Sequence, residues 1–158
     1  MERAKELIRI LGMKEHPEGG WYSEVYRSPV EVLRNGKKRK AVSAIYFLLR
    51  RGEVSRPHRL LSEEIWHVYE GELELVWADE KVHRTRLGRV REGVGAFAVV
   101  PAGAWQAARP LSDYVLVGCT VSPAFEWEDF ELAEGSTLEK LLEKFPDFKE
   151  FIQQGERE

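Results

Sequence analysis

His58 and Glu64 stand six positions apart, between Gly52 and Gly71. A carboxylate beside an imidazole orients the ring and raises its basicity. A phenol across from such a pair supplies the opposite proton, and the three groups together can abstract a proton next to a carbonyl. Tyr22, Tyr26 and Tyr46 are the candidate phenols, and Tyr46 lies in the strand before the pair. His58, Glu64 and Tyr46 are therefore the catalytic candidates. If Glu64 points inward, period two sends Trp66 and Val68 with it and His67 outward. Trp66 then joins Trp105 in lining a pocket where an aromatic wall favours planar or sugar-like ligands. Trp66, Gln106, Trp105, Glu24 and His16 form the candidate ligand-binding set. The plainer alternative for the tryptophans is core filling.

The elements that must position these groups are mostly strands. Short β-branched and aromatic runs alternate with Gly, Pro, Asn and Asp clusters from Trp21 to Phe130. The predicted strands are Trp21–Ser28, Ala41–Leu49, Glu64–Glu70, Glu72–Trp77, Lys81–Leu87, Gly95–Val100, Trp105–Arg109 and Tyr114–Val121. Many strands with short turns imply an antiparallel sandwich or barrel. Leu73, Leu75 and Trp77 share one face, opposite Glu72 and Glu74, which predicts a half-buried strand. The apolar Tyr114–Val121 run predicts burial on both faces. His16-Pro17-Glu18-Gly19-Gly20 reads as a tight turn into the first strand. His16 and Glu18 then either serve that turn or reach the barrel mouth of their own subunit or of a partner.

Helices flank the strands. Ala4, Leu7, Ile8 and Leu11 recur at helical spacing before Gly12. Ser136 and Glu139 match a capping box, Leu138, Leu141, Leu142 and Phe145 form an apolar stripe, and Pro146 ends the helix.

Composition narrows the function classes. The chain has 158 residues with 43% hydrophobic content, enough for one domain over 1–158 with a barrel core at about 20–131. A net charge of −3 and a pI near 5.9 point away from nucleic-acid and membrane partners. The basic run Lys37-Lys38-Arg39-Lys40 follows Asn35-Gly36, so it reads as a solvated hairpin tip. The single cysteine, Cys119, excludes an intramolecular disulfide framework, reads as an inert packed residue, and fits a cytoplasmic protein.

Two motifs carry a resemblance to a known family. The first reads Gly52, five residues, His58-Arg59-Leu60, three residues, Glu64, six residues, Gly71. The second reads Gly95, five residues, Pro101-Ala102-Gly103, two residues, Gln106. Their order and spacing resemble the paired motifs of cupins. HPEGGWYSEVYRS, SRPHRLLSEEIWHVYEG and VPAGAWQAARP resemble more specifically a cupin family of unknown function. The resemblance implies an all-β double-stranded β-helix, or jelly-roll barrel, with short terminal helices, often as a homodimer. Its usual metal site holds a divalent ion on three His and one Glu. Here those positions are His58, Leu60, Glu64 and Gln106, and Leu60 cannot coordinate. No cofactor is therefore expected; His58, Glu64 and Gln106 would hold a metal if one bound. The family departs locally at Ala124, where Gly usually follows the proline. The leading expectation is a small-molecule-binding protein, with metal-independent isomerisation or epimerisation of a carbohydrate or nucleotide-derived compound as its chemistry. A non-catalytic metabolite-binding module and a metal-dependent dioxygenase or isomerase are the rivals. In the binding reading, His58 and Glu64 are remnants of an ancestral metal site.

Overall fold

Central strands that are apolar on both faces need cover on both sides, and this chain covers both. The computed structural model describes residues 2–152. In chain order the elements are helix α1 (Glu2–Ile10), strands β1 (Lys14–Glu15), β2 (Trp21–Arg27), β3 (Glu31–Arg34), β4 (Lys37–Lys40), β5 (Ser43–Arg50), β6 (Ser55–Leu60) and β7 (Glu63–Glu70), followed by β8 (Leu73–Ala78), β9 (Val82–Leu87), β10 (Phe97–Val100), β11 (Trp105–Pro110), β12 (Tyr114–Ser122), β13 (Phe130–Leu132) and helix α2 (Gly135–Lys144). A final 3-10 segment spans Pro146–Phe151.

Two antiparallel sheets form the body, in the orders β1-β2-β5-β12-β7-β10 and β13-β6-β11-β8-β9. Neighbours far apart in sequence, such as β5 and β12, give the double-stranded β-helix its crossovers. Phe47, Leu49, Trp66, Leu73, Leu75 and Val117 form the core between the sheets. Alternation sends the intervening side chains outward. Leu48 and Leu116 pack against Ala4 and Leu7 of α1. Val76 and Ala107 pack against Leu141, Phe145, Phe148 and Phe151 at the C-terminal end. Tyr114–Ser122 is thus buried on both faces as its composition predicts. β8 is more enclosed than its alternation predicts, because Val76 sits under the C-terminal segment. Burying Phe148 and Phe151 fully contributes about 1.5–3 kcal/mol each.

Two local expectations need correction. Helix α2 begins after Glu134 with no side-chain cap, so the Ser136/Glu139 capping box does not form. Asn35-Gly36 does turn a hairpin, with φ values of 50° and 80°, between β3 and β4. Its basic run is not all solvated. Arg39 is half-buried against Asp129, where its Nε donates to Oδ2 at 3.0 Å and its Nη2 to Oδ1 at 3.1 Å. Arg34 donates to the same Oδ2 at 2.6 Å. The hairpin therefore clamps the 125–130 loop, whose aromatic residues lie over the site. Among the described residues, no helix is long and apolar enough to cross a membrane.

Candidate functional site

Strand β6 places the site through an irregularity. Gln106 of β11 pairs with His58, but Ala108 pairs with Ser55, so β6 carries an extra residue. Strict alternation would send Ser55 and His58, three apart, to opposite faces. The bulge lets both reach one carboxyl group. That group is Glu18: the Ser55 hydroxyl donates to its Oε2, and Nε2 of His58 lies 3.3 Å from its Oε1.

Glu18 arrives from the turn between β1 and β2. The Gly19 N–H donates to the His16 carbonyl at 2.9 Å, and the His16 N–H to the Gly20 carbonyl at 3.0 Å. Gly20 has φ +74°, and a Cβ there would lie 2.7 Å from the Leu48 carbonyl oxygen. Only glycine fits without moving that strand. The Arg56 N–H donates to the Glu18 carbonyl at 2.7 Å, tying turn to β6.

The hydrogen bonds assign the histidine tautomers. Nδ1 of His58 lies 2.7 Å from the Arg56 carbonyl, which can only accept, so Nδ1 carries a proton and Nε2 faces Glu18. Nδ1 of His16 accepts the Glu18 backbone N–H at 3.1 Å, so the neutral ring is protonated at Nε2. Burial holds both imidazoles below the usual histidine range.

Glu64 is held by a second relay. The Trp66 indole N–H donates to Oε1 of Gln106 at 2.9 Å, and Nε2 of Gln106 donates to Oε1 of Glu64 at 2.8 Å. Indole is a donor only, so it fixes which way the amide points. Burial pushes the Glu64 carboxyl up to about 7, and the Glu18 carboxyl upward as well. Near neutrality this is a buried chamber of neutral imidazoles and carboxyl groups able to hold protons.

The chamber has a volume of about 40 Å³. One water needs roughly 10–15 Å³ on that measure, so it admits a functional group rather than a whole metabolite. Tyr22, Phe47, Trp66 and Phe125 give its aromatic walls. Tyr22, Ile45 and Phe125 also line an outer groove of about 450 Å³.

The comparisons with known proteins can now be set against this geometry. The Cupin_5 model, described as cupin superfamily (DUF985), matches residues 5–133. The chain belongs to the Cupin_5 family. Among solved structures, a hypothetical protein from Leishmania major is 33% identical, with a TM-score of 0.83 over 96% of this chain and 97% of that one. A protein from Shewanella oneidensis is 35% identical, with a TM-score of 0.82 over 96% and 95%. A cupin 2 conserved barrel protein from Rhodopseudomonas palustris is 19% identical, with a TM-score of 0.60 over 89% and 86%, a likeness of fold alone. No curated protein matches the chain.

The Cupin_5 chain brings His58, Glu64, Trp66 and His16 to the chamber wall, with Gln106 behind it, bonded to Glu64 and Trp66. Three of its candidate residues lie elsewhere. Tyr46 is in register with Gly118 on β12, on the outward face of β5, and packs with the α1 cluster and the Tyr69 ring. The phenol in the chamber is Tyr22, whose register partner is the inward Phe47. Trp105 packs with the C-terminal cluster under the Arg59 guanidinium, 4.5 Å from its centroid. Glu24 lines the outer groove. The pairing of His58 with Glu64 is one of charge rather than contact: Glu64 hydrogen-bonds Gln106 and acts on the imidazole electrostatically, while Nε2 of His58 contacts Glu18. Glu18 shows in sequence only as part of the turn motif, and nothing local marks it as the partner of His58.

The expected metal ligands do not form a fitting set. Leu60 occupies one position and lines the chamber as hydrocarbon. Gln106 spends its carbonyl on Trp66 and turns N–H groups toward Glu64. Among the described residues, no three His, Cys, Asp or Glu are grouped to hold a metal ion.

Proposed function

We propose that this Cupin_5 protein binds a small carbonyl compound, carbohydrate- or nucleotide-derived, and isomerises it by metal-independent proton transfer. The observation that carries this reading is the buried 3.3 Å contact between His58 Nε2 and Glu18 Oε1 at the chamber wall. The pair holds one proton between them in one state. With Glu18 ionised and His58 neutral, it has room for a proton taken from the carbon next to a carbonyl. Glu64 is the complementary acid. Gln106 donates to its Oε1, so the carboxyl proton sits on Oε2 for delivery to the carbonyl oxygen, and the neighbouring Cys119 thiol is a further hydrogen-bond partner of this carboxyl. Tyr22 is a second donor at the same wall. The acid and base act in a low-dielectric space, where such transfers need little solvent reorganisation.

The test is solvent deuterium exchange at the carbon next to the carbonyl, followed by NMR on ligands found to bind. Exchange that depends on His58 and is lost in His58→Gln supports the reading; ligands that bind and never exchange sink it. The small chamber volume favours one second reading, a non-catalytic module that recognises only the end of a metabolite. Exchange decides between the two.

The protein is also read as a homodimer. Exposed Tyr69, Phe97 and Val99 on the outer side of the six-stranded sheet support this, because scattered burial would leave no such grouped apolar surface. Light scattering that gives a monomer at micromolar concentration overturns it.

A further inference from the structure

The outer groove holds a recognition set that the proton-transfer chemistry does not use. Trp127 is 48% exposed at its rim, an unusual place for so large an aromatic group without a ligand to cover it. Its ring lies 5.4 Å from His16 and 6.4 Å from Tyr22, so it stands over the chamber mouth. The Phe125 ring meets it edge-on at 4.8 Å. The 125–130 loop is secured by the Asp129 ion pairs and by Lys37 on Glu128 at 3.1 Å.

Charge in the groove is balanced. Arg27 donates to Glu24 Oε1 at 2.7 Å, to Glu126 Oε2 at 3.0 Å and to the Phe125 carbonyl at 2.8 Å. Each carboxylate spends one oxygen on Arg27. Among the described residues, Glu24 Oε2 and Glu126 Oε1 have no further hydrogen-bond partner. Lys14 adds an ammonium donor, 5.5 Å from the Tyr22 ring centroid. Two carboxylate oxygens that can only accept call for a ligand rich in hydroxyl donors. Glu24 and Glu126 match the charges of Arg27 and Lys14, so the groove has no net positive charge to draw a phosphate or a carboxylate. Aromatic rings above and beside such acceptors fit the C–H faces of a sugar ring.

We propose that this groove is the subsite for the ring of a neutral polyhydroxylated ligand, an aldose or ketose without an ionised substituent, with its carbonyl end directed past Tyr22 into the chamber. This rests on the proton-transfer reading for the role of the chamber, but the groove makes its own claim about what binds.

Saturation-transfer NMR with glucose, xylose and fructose, each set against its phosphate ester, tests it. The expected result is transfer to neutral sugars and little to their phosphates. Trp127→Ala should weaken neutral-sugar binding by about tenfold, a stacking-sized effect. Glu24→Gln should weaken it and narrow the preference over the phosphate. Preference for the phosphate esters, no binding of any neutral sugar, or full binding by folded Trp127→Ala overturns the proposal. A neutral sugar that binds without deuterium exchange leaves the subsite standing and removes only the chemistry assigned to the chamber. Circular dichroism of each variant separates lost binding from lost fold.

Discussion

His58 Nε2 lies 3.3 Å from Glu18 Oε1, although the two residues come from different elements and the oxygen's neighbour is held by Ser55. The contact depends on the extra residue in β6 and on the glycine turn before β2. Both partners are buried and desolvated, so the protein keeps an ionisable pair where an apolar one would be more stable. Such retention is expected where the pair does chemistry.

Glu18→Gln keeps the shape and a hydrogen-bonding group for Ser55 while removing the ionisable proton. The expected result is stability within about 1 kcal/mol of the parent, since one modest hydrogen bond is exchanged for another. Proton exchange on a bound ligand should fall by about 100-fold or more, the size of a general acid–base contribution. Urea unfolding and the deuterium assay read the two effects separately. Unchanged exchange in this variant would exclude Glu18 from the base.

Glu64 gives a pH signature. Its folded value is raised to about 7, so the folded state holds a proton that the unfolded chain has released above its ordinary carboxylate range. Its contribution is fully present below about 4.5 and is lost as pH rises through about 7, amounting to roughly 3 kcal/mol for a buried group. The lowered histidines act oppositely, costing stability as pH falls below the ordinary imidazole range. Comparing thermal midpoints of the parent and Glu64→Gln across this range isolates the carboxyl. Parallel curves would mean that Glu64 ionises normally.

Metal capacity should be restorable. Leu60→His with Gln106→His places imidazoles at the two positions where lone pairs are missing, beside His58 and Glu64. Calorimetry with Zn²⁺ or Ni²⁺ should show near-stoichiometric binding by this double variant and weak binding by the parent, since borderline metals favour imidazole. Tight binding by the parent would show that other groups complete the site.

Asp129 carries the clamp on the aromatic loop. Its carboxylate receives Arg34 and Arg39, with all three side chains largely buried. Asp129→Ala removes the carboxylate that Arg34 and Arg39 share, leaving Ser62 to Arg34 and Glu128 to Arg39, and should cost about 3 kcal/mol. For a chain of this size that lowers the thermal midpoint by roughly 6–12 °C. Ligand binding should weaken as well, because Phe125 and Trp127 ride on the same loop. A midpoint within about 1 °C of the parent, well short of that range, would show the clamp to be idle.

Much of this protein is legible in its sequence. Period-two alternation and the paired glycine motifs point to the barrel, and Glu64 with Trp66 points inward because neighbouring strand residues alternate faces. β6 escapes notice because Pro57 interrupts a short run of mixed polarity, although that strand carries His58. Tyr46 looks like the phenol because it precedes the motif, yet one step in alternation turns it to α1. Phe148 and Phe151 lie beyond the proline that ends α2 and become core through a 3-10 segment.

Residue types and spacing determined the strands, the inward face of β7 and the absence of a full histidine set at the usual metal positions. Only the tertiary structure decided that Glu18 contacts His58 while Glu64 is turned to Gln106, that Gln106 is turned by Trp66 into a donor, and that Arg39 is half-buried rather than solvated. Local pattern records which face a side chain takes. Which partner waits on that face depends on strand register, a bulge and a turn, and these are settled by packing between segments distant in the chain.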